Sequence, residues 1–110
     1  MATTIQNIDP FVGTELKLNV NIEPIGDITM DDYDFFVEVY CSIKRVLTIH
    51  KKDAIRIDEN NYVVLVDTAQ TGAGDLKCRV TAYIPDEDFA DGLRTEVVGF
   101  DTGINIIKHI

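Results

Sequence analysis

Residues 15–22 read Glu-Leu-Lys-Leu-Asn-Val-Asn-Ile, with Leu16, Leu18, Val20 and Ile22 at every second position. A period of two marks a β-strand with one face buried and the other in water. The pattern returns at 75–84, where Leu76, Cys78, Val80, Ala82 and Ile84 alternate with Lys77, Arg79, Thr81 and Tyr83. No stretch carries a comparable helical period. The chain reads as half-buried antiparallel sheet.

Working outward, the segments fall into strands parted by turn chemistry. At 35–42, Phe35, Val37, Val39 and Cys41 share one face and Glu38 and Ser42 the other. Shorter strands are expected at 45–50 and 54–57, split by the polar tract His50-Lys51-Lys52-Asp53. At 62–67, Tyr62, Val64 and Val66 take one face while Val63 and Leu65 make the other apolar too. Such a strand sits centrally or beneath a loop. Pro24 and Gly26, with the acids around them, mark a connection, as do 58–61 and the charged loop 85–92. The small-residue stretch 68–74 reads as a bend with room for one 3₁₀ turn. Residues 87–93 admit a helical turn. Residues 97–107, interrupted by Gly99 and Gly103, admit one bent strand or two. The total is about seven or eight strands, spaced as in a sandwich.

The bulk properties bound the rest. One hundred and ten residues suffice for a single core. A hydrophobic content of 45% argues for a folded chain despite a net charge of −9. That charge disfavours nucleic acid, whose phosphates are bound by Lys and Arg, and an anionic membrane surface. It suits solubility or a basic partner. No apolar run nears the ~20 residues of a membrane helix, and the opening MATTIQNIDP lacks the pattern of a secretion signal. Residues 1–13 read as an arm, punctuated by Pro10 and Gly13, that frays or lies along a neighbouring subunit. Residues 14–110 form one domain.

Chemistry-bearing constellations are thin. A calcium loop starting at Asp86 would need an acid where Ala90 stands and a glycine where Asp91 stands. Its acids suit a solvated turn. Asp27, Asp31, Asp32 and Asp34 are a second acidic loop of the same kind. Gly72 and Gly74 precede a strand rather than the helix a phosphate loop opens. His50 beside two lysines and His109 near the end of the sequence read as surface residues, since a metal site needs more ligands at fixed spacing. Ser42, the only serine, has no base marked for it, and Cys41 and Cys78 point coreward as expected free thiols, although a pair across two sheets remains open. We expect no enzyme, no cofactor and no metal. The candidate contact residues are Tyr40 and Tyr83, alternating outward on strands that can be neighbours, and Arg94 and Glu96, two apart on one strand face.

Two resemblances extend this reading. The strand ending at Val66, the bend Thr68-Ala69-Gln70-Thr71-Gly72-Ala73-Gly74 and the strand bearing Cys78 resemble the corner between the fifth and sixth strands of an immunoglobulin-like sandwich. This places Cys41 on the second strand and Cys78 on the sixth, the positions bridged in antibody domains. There is no tryptophan, and Leu76 stands where a tyrosine corner has Tyr. The run DENNYVVLVD (58–67) followed by TGAGDLKCRV (71–80) is similar to the Ig-like modules at the N-terminus of phage baseplate upper proteins and related prophage virion proteins. IPDEDFADGLRTEV (84–97) followed by TGINII (102–107) resembles small structural proteins of phages infecting gut Bacteroidales. The resemblance implies an all-β, antiparallel, immunoglobulin-like sandwich in a virion assembled in the bacterial cytoplasm. Its role would be structural or adaptor, in tail, baseplate or head accessory. Its partners would be other virion proteins or further copies of itself, met through sheet edges and the arm. The alternative is a carbohydrate- or ligand-binding module of a bacterial surface or secreted protein.

Overall fold

The computed structural model describes residues 9–23 and 29–108. Its strands are β1 (Glu15–Asn21), β2 (Asp34–Cys41), β3 (Lys44–His50), β4 (Ile55–Arg56), β5 (Asn61–Asp67), β6 (Gly74–Pro85) and β7 (Leu93–Ile106), with the single-turn helix α1 (Thr68–Thr71) between β5 and β6. They form two antiparallel sheets, ordered β1-β5-β4 and β3-β2-β6-β7. The molecule is an all-β sandwich, not a closed barrel. Setting aside an A-type strand, β1 to β7 take the places B, C, C′, D, E, F and G of the immunoglobulin order.

The period-two segments supply the core. Leu18 and Val20 of β1 and Tyr62, Val64 and Val66 of β5 are buried against Phe35, Val37 and Val39 of β2 and Leu76, Cys78, Ala82 and Ile84 of β6. Phe35 and Tyr62 meet edge to face across the two sheets, ring centroids 5.0 Å apart. Met30 and Tyr33, from the connection before β2, close one end. β5 is the central strand of its sheet, with its other face only partly covered: Leu65 is 56% exposed.

Several local expectations are corrected. The bend after β5 is one α-helical turn, because the Asp67 carboxylate accepts from the Ala69 amide (3.0 Å) and Gly72 ends the turn. Residues 87–92 form turns, not a helix, and Leu93 opens β7. Of the alternatives for 97–107, one bent strand or two, the structure shows one, β7, which keeps its pairing by bulging. Leu76 faces Ile104 while Lys77 faces Asp101, so Thr102 and Gly103 are extra. Thr102 Oγ1 donates to the Leu76 carbonyl (2.6 Å) and holds the bulge shut. Ser42 lies in the β2–β3 turn at φ 58° rather than on a strand face.

The cysteine placement is also corrected. Cys41 and Cys78 lie on adjacent strands of one sheet, where Cys78 faces Val39 and Cys41 faces Leu76. Both are buried free thiols. The second strand of this chain occupies place C rather than B, so the inter-sheet bridge of antibody domains has no counterpart.

The segment leading into β1 is tied down from Pro10 onward. Ile107 N donates to the Pro10 carbonyl (2.7 Å) and Val12 N to the Ile107 carbonyl (2.9 Å), a parallel bridge between Phe11 and Ile107. Thr68 Oγ1, fully buried, accepts from Gly13 N (2.8 Å) and donates to the Thr14 carbonyl (2.7 Å). Residues 1–8 of the arm, Pro24, Gly26, Asp27 and His109 lie outside the described residues.

Candidate functional site

The structure separates the proposed tyrosine platform. Tyr40 and Tyr83 do point from the same outer face of neighbouring strands. In register, however, Tyr40 faces Lys77 and Tyr83 faces Asp34. Six residues of β6 part them, about 20 Å at ~3.4 Å per residue. Tyr40 instead lies under the Arg79 guanidinium, 5.4 Å from the ring centroid, and Tyr83 lies beside Phe36 at 6.2 Å.

Between them sits a charged cluster that alternation alone did not single out. Glu38 points outward from β2, yet only 5% of its side chain is exposed. Arg79 covers it from β6, its Nη2 and Nε donating to Oε1 at 2.7 and 2.9 Å. Arg45 of β3 donates to Oε2 at 3.0 Å. The Arg79 bonds first, and then that from Arg45, hold the Glu38 carboxyl below its usual range. The cluster saturates its own acid, so it braces three strands rather than offering a free carboxylate.

Arg94 and Glu96 do share a face and pair with each other, Nη1 to Oε1 at 2.8 Å. Arg94 Nε also lies 3.5 Å from Asp86 Oδ2 across the β6–β7 hairpin. The ion pair across the strands is therefore Arg94 with Asp86. Glu96 lines something else.

That feature is an open seam. Among the described residues β1 ends one sheet and β7 ends the other, and residues of both strands line one groove. A groove of about 310 Å³ runs between them, walled by Asn19–Glu23 and by Glu96, Val98 and Phe100, with Val80 and Ala82 as its floor. Val98 is 59% and Phe100 38% exposed, although both point to the inner side of their sheet. Among the described residues no strand lies beyond β1 to cover them. A second apolar patch, Ile55, Ile57 and Leu65, lies exposed around β4 and β5.

The acidic loops spend their oxygens locally. Asp31 pairs with Arg56 at 2.7 Å, Asp32 accepts from Thr29 N, and Asp34 from Phe35 N. Asp86 accepts from Asp88 N and Asp91 from Leu93 N. Among the described residues no group of three or more His, Cys, Asp or Glu is placed to hold a metal ion. Burial pushes the Cys78 thiol up to about 11, and burial, then Asp75, raises Cys41, so neither is poised as a thiolate nucleophile. No described helix is long and apolar enough to cross a membrane.

No family model, no curated protein and no solved structure matches this chain.

Proposed function

We propose that the chain is a non-enzymatic structural or adaptor module of a phage or prophage virion, associating through its sheet edges and amino-terminal arm. The virion assignment rests on the resemblance of 58–80 and 84–107 to phage structural modules. The observation that carries the mode of action is the seam, where two strand edges face each other over exposed apolar side chains. Unpaired edges recruit further strands, and contiguous exposed apolar surface marks contact sites. The patch of Ile55, Ile57 and Leu65 supplies a second such surface. The ligand-binding alternative loses its aromatic platform, because Tyr40 and Tyr83 stand at opposite ends of the sheet.

Sedimentation velocity tests the proposal. The chain alone should run as a monomer or weak oligomer. Mixed with the particle proteins encoded beside it, it should shift to a larger species, and purified particles should contain it by mass spectrometry. A stable monomer indifferent to every neighbouring gene product would overturn the reading. Glycan binding abolished by Tyr83→Ala would replace it with the alternative.

A further inference from the structure

We infer that the larger sheet carries a knob at one end and a matching socket at the other, and that the socket's occupant is the knob of a second copy of this chain. The knob is the β2–β3 turn. Cys41 pairs with Lys44, so Ser42 and Ile43 alone make the turn. Ser42 stands at its first position with φ 58°, a left-handed conformation that turns of this length usually give to glycine. Its amide donates to the Asp75 carbonyl (2.8 Å), which fixes the turn against β6. Ile43 at the apex is 97% exposed. Lys44 and Arg45 follow it, and Lys77 lies on the same end of β6. Glu38 is saturated by Arg79 and Arg45, and the other acids on this end of the larger sheet are Asp75 and Asp101. Cations therefore outnumber acids on this end of the sheet, in a chain of net charge −9. Glu15 and Asp67 belong to the other sheet.

The socket lies beside the β6–β7 hairpin. A hollow of about 380 Å³ is lined by Tyr33, Ile84 and Pro85 together with Asp86, Glu87 and Asp88. Two cations lie close by and both are engaged. Arg94 pairs with Asp86 and Glu96, and Lys51 donates to the Met30 and Tyr33 carbonyls. Glu87 and Asp88 stay exposed. Asp86 N donates to the Gly92 carbonyl and Gly92 N to the Phe89 carbonyl, each at 2.9 Å, so the loop is ordered before a partner arrives. Apolar side chains beside carboxylates complement an isoleucine flanked by bases.

Distance makes the partner a second copy. The knob sits at the Gly74 end of β6 and the socket at its Pro85 end. β6 has 12 residues. Its ends therefore lie ~37 Å apart at ~3.4 Å per residue, and a chain's own Ile43 cannot reach its own hollow. A contact between unlike ends is heterologous and joins copies head to tail, in closed rings or open rows. It is small, and copies of net charge −9 repel one another overall. Association is accordingly weak in dilute solution and grows with concentration. The inference does not depend on the virion assignment.

Zero-length carbodiimide cross-linking of the full-length chain tests it, with ordinary and isotopically heavy protein mixed at high concentration. Lys44 should link to Glu87 or Asp88 of the opposite label at least about fivefold more often than Lys17, an exposed lysine of β1, does. Ile43→Ser should lower that yield to the Lys17 level while the sheet circular dichroism stays unchanged. Lys44→Glu and Asp88→Lys should each abolish the rise of the sedimentation coefficient with concentration. Mixed together, the two variants should recover it, because one supplies an intact socket and the other an intact knob. Lys44 linking no more often than Lys17, or linking that survives Ile43→Ser, would overturn the knob and socket. A mixture of the two charge variants that sediments as each does alone would overturn the head-to-tail contact.

Discussion

Gly74 is where one missing Cβ lets two turns touch. It sits at φ 137°, and a Cβ there would overlap Ser42 Oγ and lie 3.2 Å from Cys41 Sγ. Ser42 is itself held at φ 58°. Gly74→Ala should cost about 2–3 kcal/mol, from strain and overlap together. Ser42→Gly in the same chain removes the overlapping oxygen and should restore part of that loss in urea unfolding, a coupling that independent sites would not show. Glu38 makes a different prediction. Its carboxyl is held below the ordinary 4.5 by Arg79 and then Arg45. A folded value below the unfolded one means stability that is present above the unfolded value and lost as pH falls through the folded one. Unfolding free energy should therefore decline below about pH 4.5. Glu38→Gln should cost about 1–2 kcal/mol at pH 7 and flatten that decline. Asp31, lowered by Arg56, and Asp58, lowered by Asn61 and the Asn60 amide, titrate in the same direction, so some slope should remain. An acid limb identical in wild type and Glu38→Gln would show that the cluster carries no such linkage.

At the scale of elements, alternation made the strands legible and could not make the irregularities so. β1, β2, β5 and β6 each bury one parity of apolar side chains, and that parity is written in Leu18/Val20, Phe35/Val37/Val39, Tyr62/Val64/Val66 and Leu76/Cys78/Ala82/Ile84. β7 resisted because little of it is buried. Most of its residues are exposed on both faces, so burial imposes no period, and its bulge is fixed by a long-range bond from Thr102 to Leu76 that no local pattern announces. α1 was hidden for a related reason: a four-residue helix has no period to show, and its purpose is tertiary. Thr68, its first residue, ties Gly13 and Thr14 to the domain. Thr68→Val preserves shape and removes both bonds, leaving the Gly13 amide without its partner. It should cost about 1–3 kcal/mol. It should also raise amide exchange in residues 12–14 selectively, because the strands on either side do not depend on that hydroxyl. Equal loss of protection throughout the sheets would mean that Thr68 serves the core rather than the staple.

For the whole molecule, topology decides what sequence spacing could not. The tyrosine pair and the cysteine pair were both read from which strands carry them, and both depend on which strands adjoin and in what register. The seam was still less accessible, since it arises from β1 and β7 each ending a sheet among the described residues, and no residue marks such an end. The same topology says what holds the two layers together. Cys41 and Cys78 lie side by side on one sheet, so no covalent bond spans the sandwich, and the layers are joined by apolar contact such as Phe35 on Tyr62. The melting temperature should then be the same with and without reductant. Thiol reactivity should follow global unfolding. Raising Cys78 to about 11 from 9.0 lowers its thiolate fraction about 100-fold at pH 8, before burial hinders the reagent at all. Iodoacetamide at pH 8 should leave the native chain unmodified at Cys78 over hours and label it within minutes in denaturing urea. As urea is added, labelling should rise with the loss of sheet circular dichroism rather than ahead of it. Rapid labelling of Cys78 under native conditions would place an opening between β2 and β6, the central pair of the larger sheet, and the two-layer core described here would not stand.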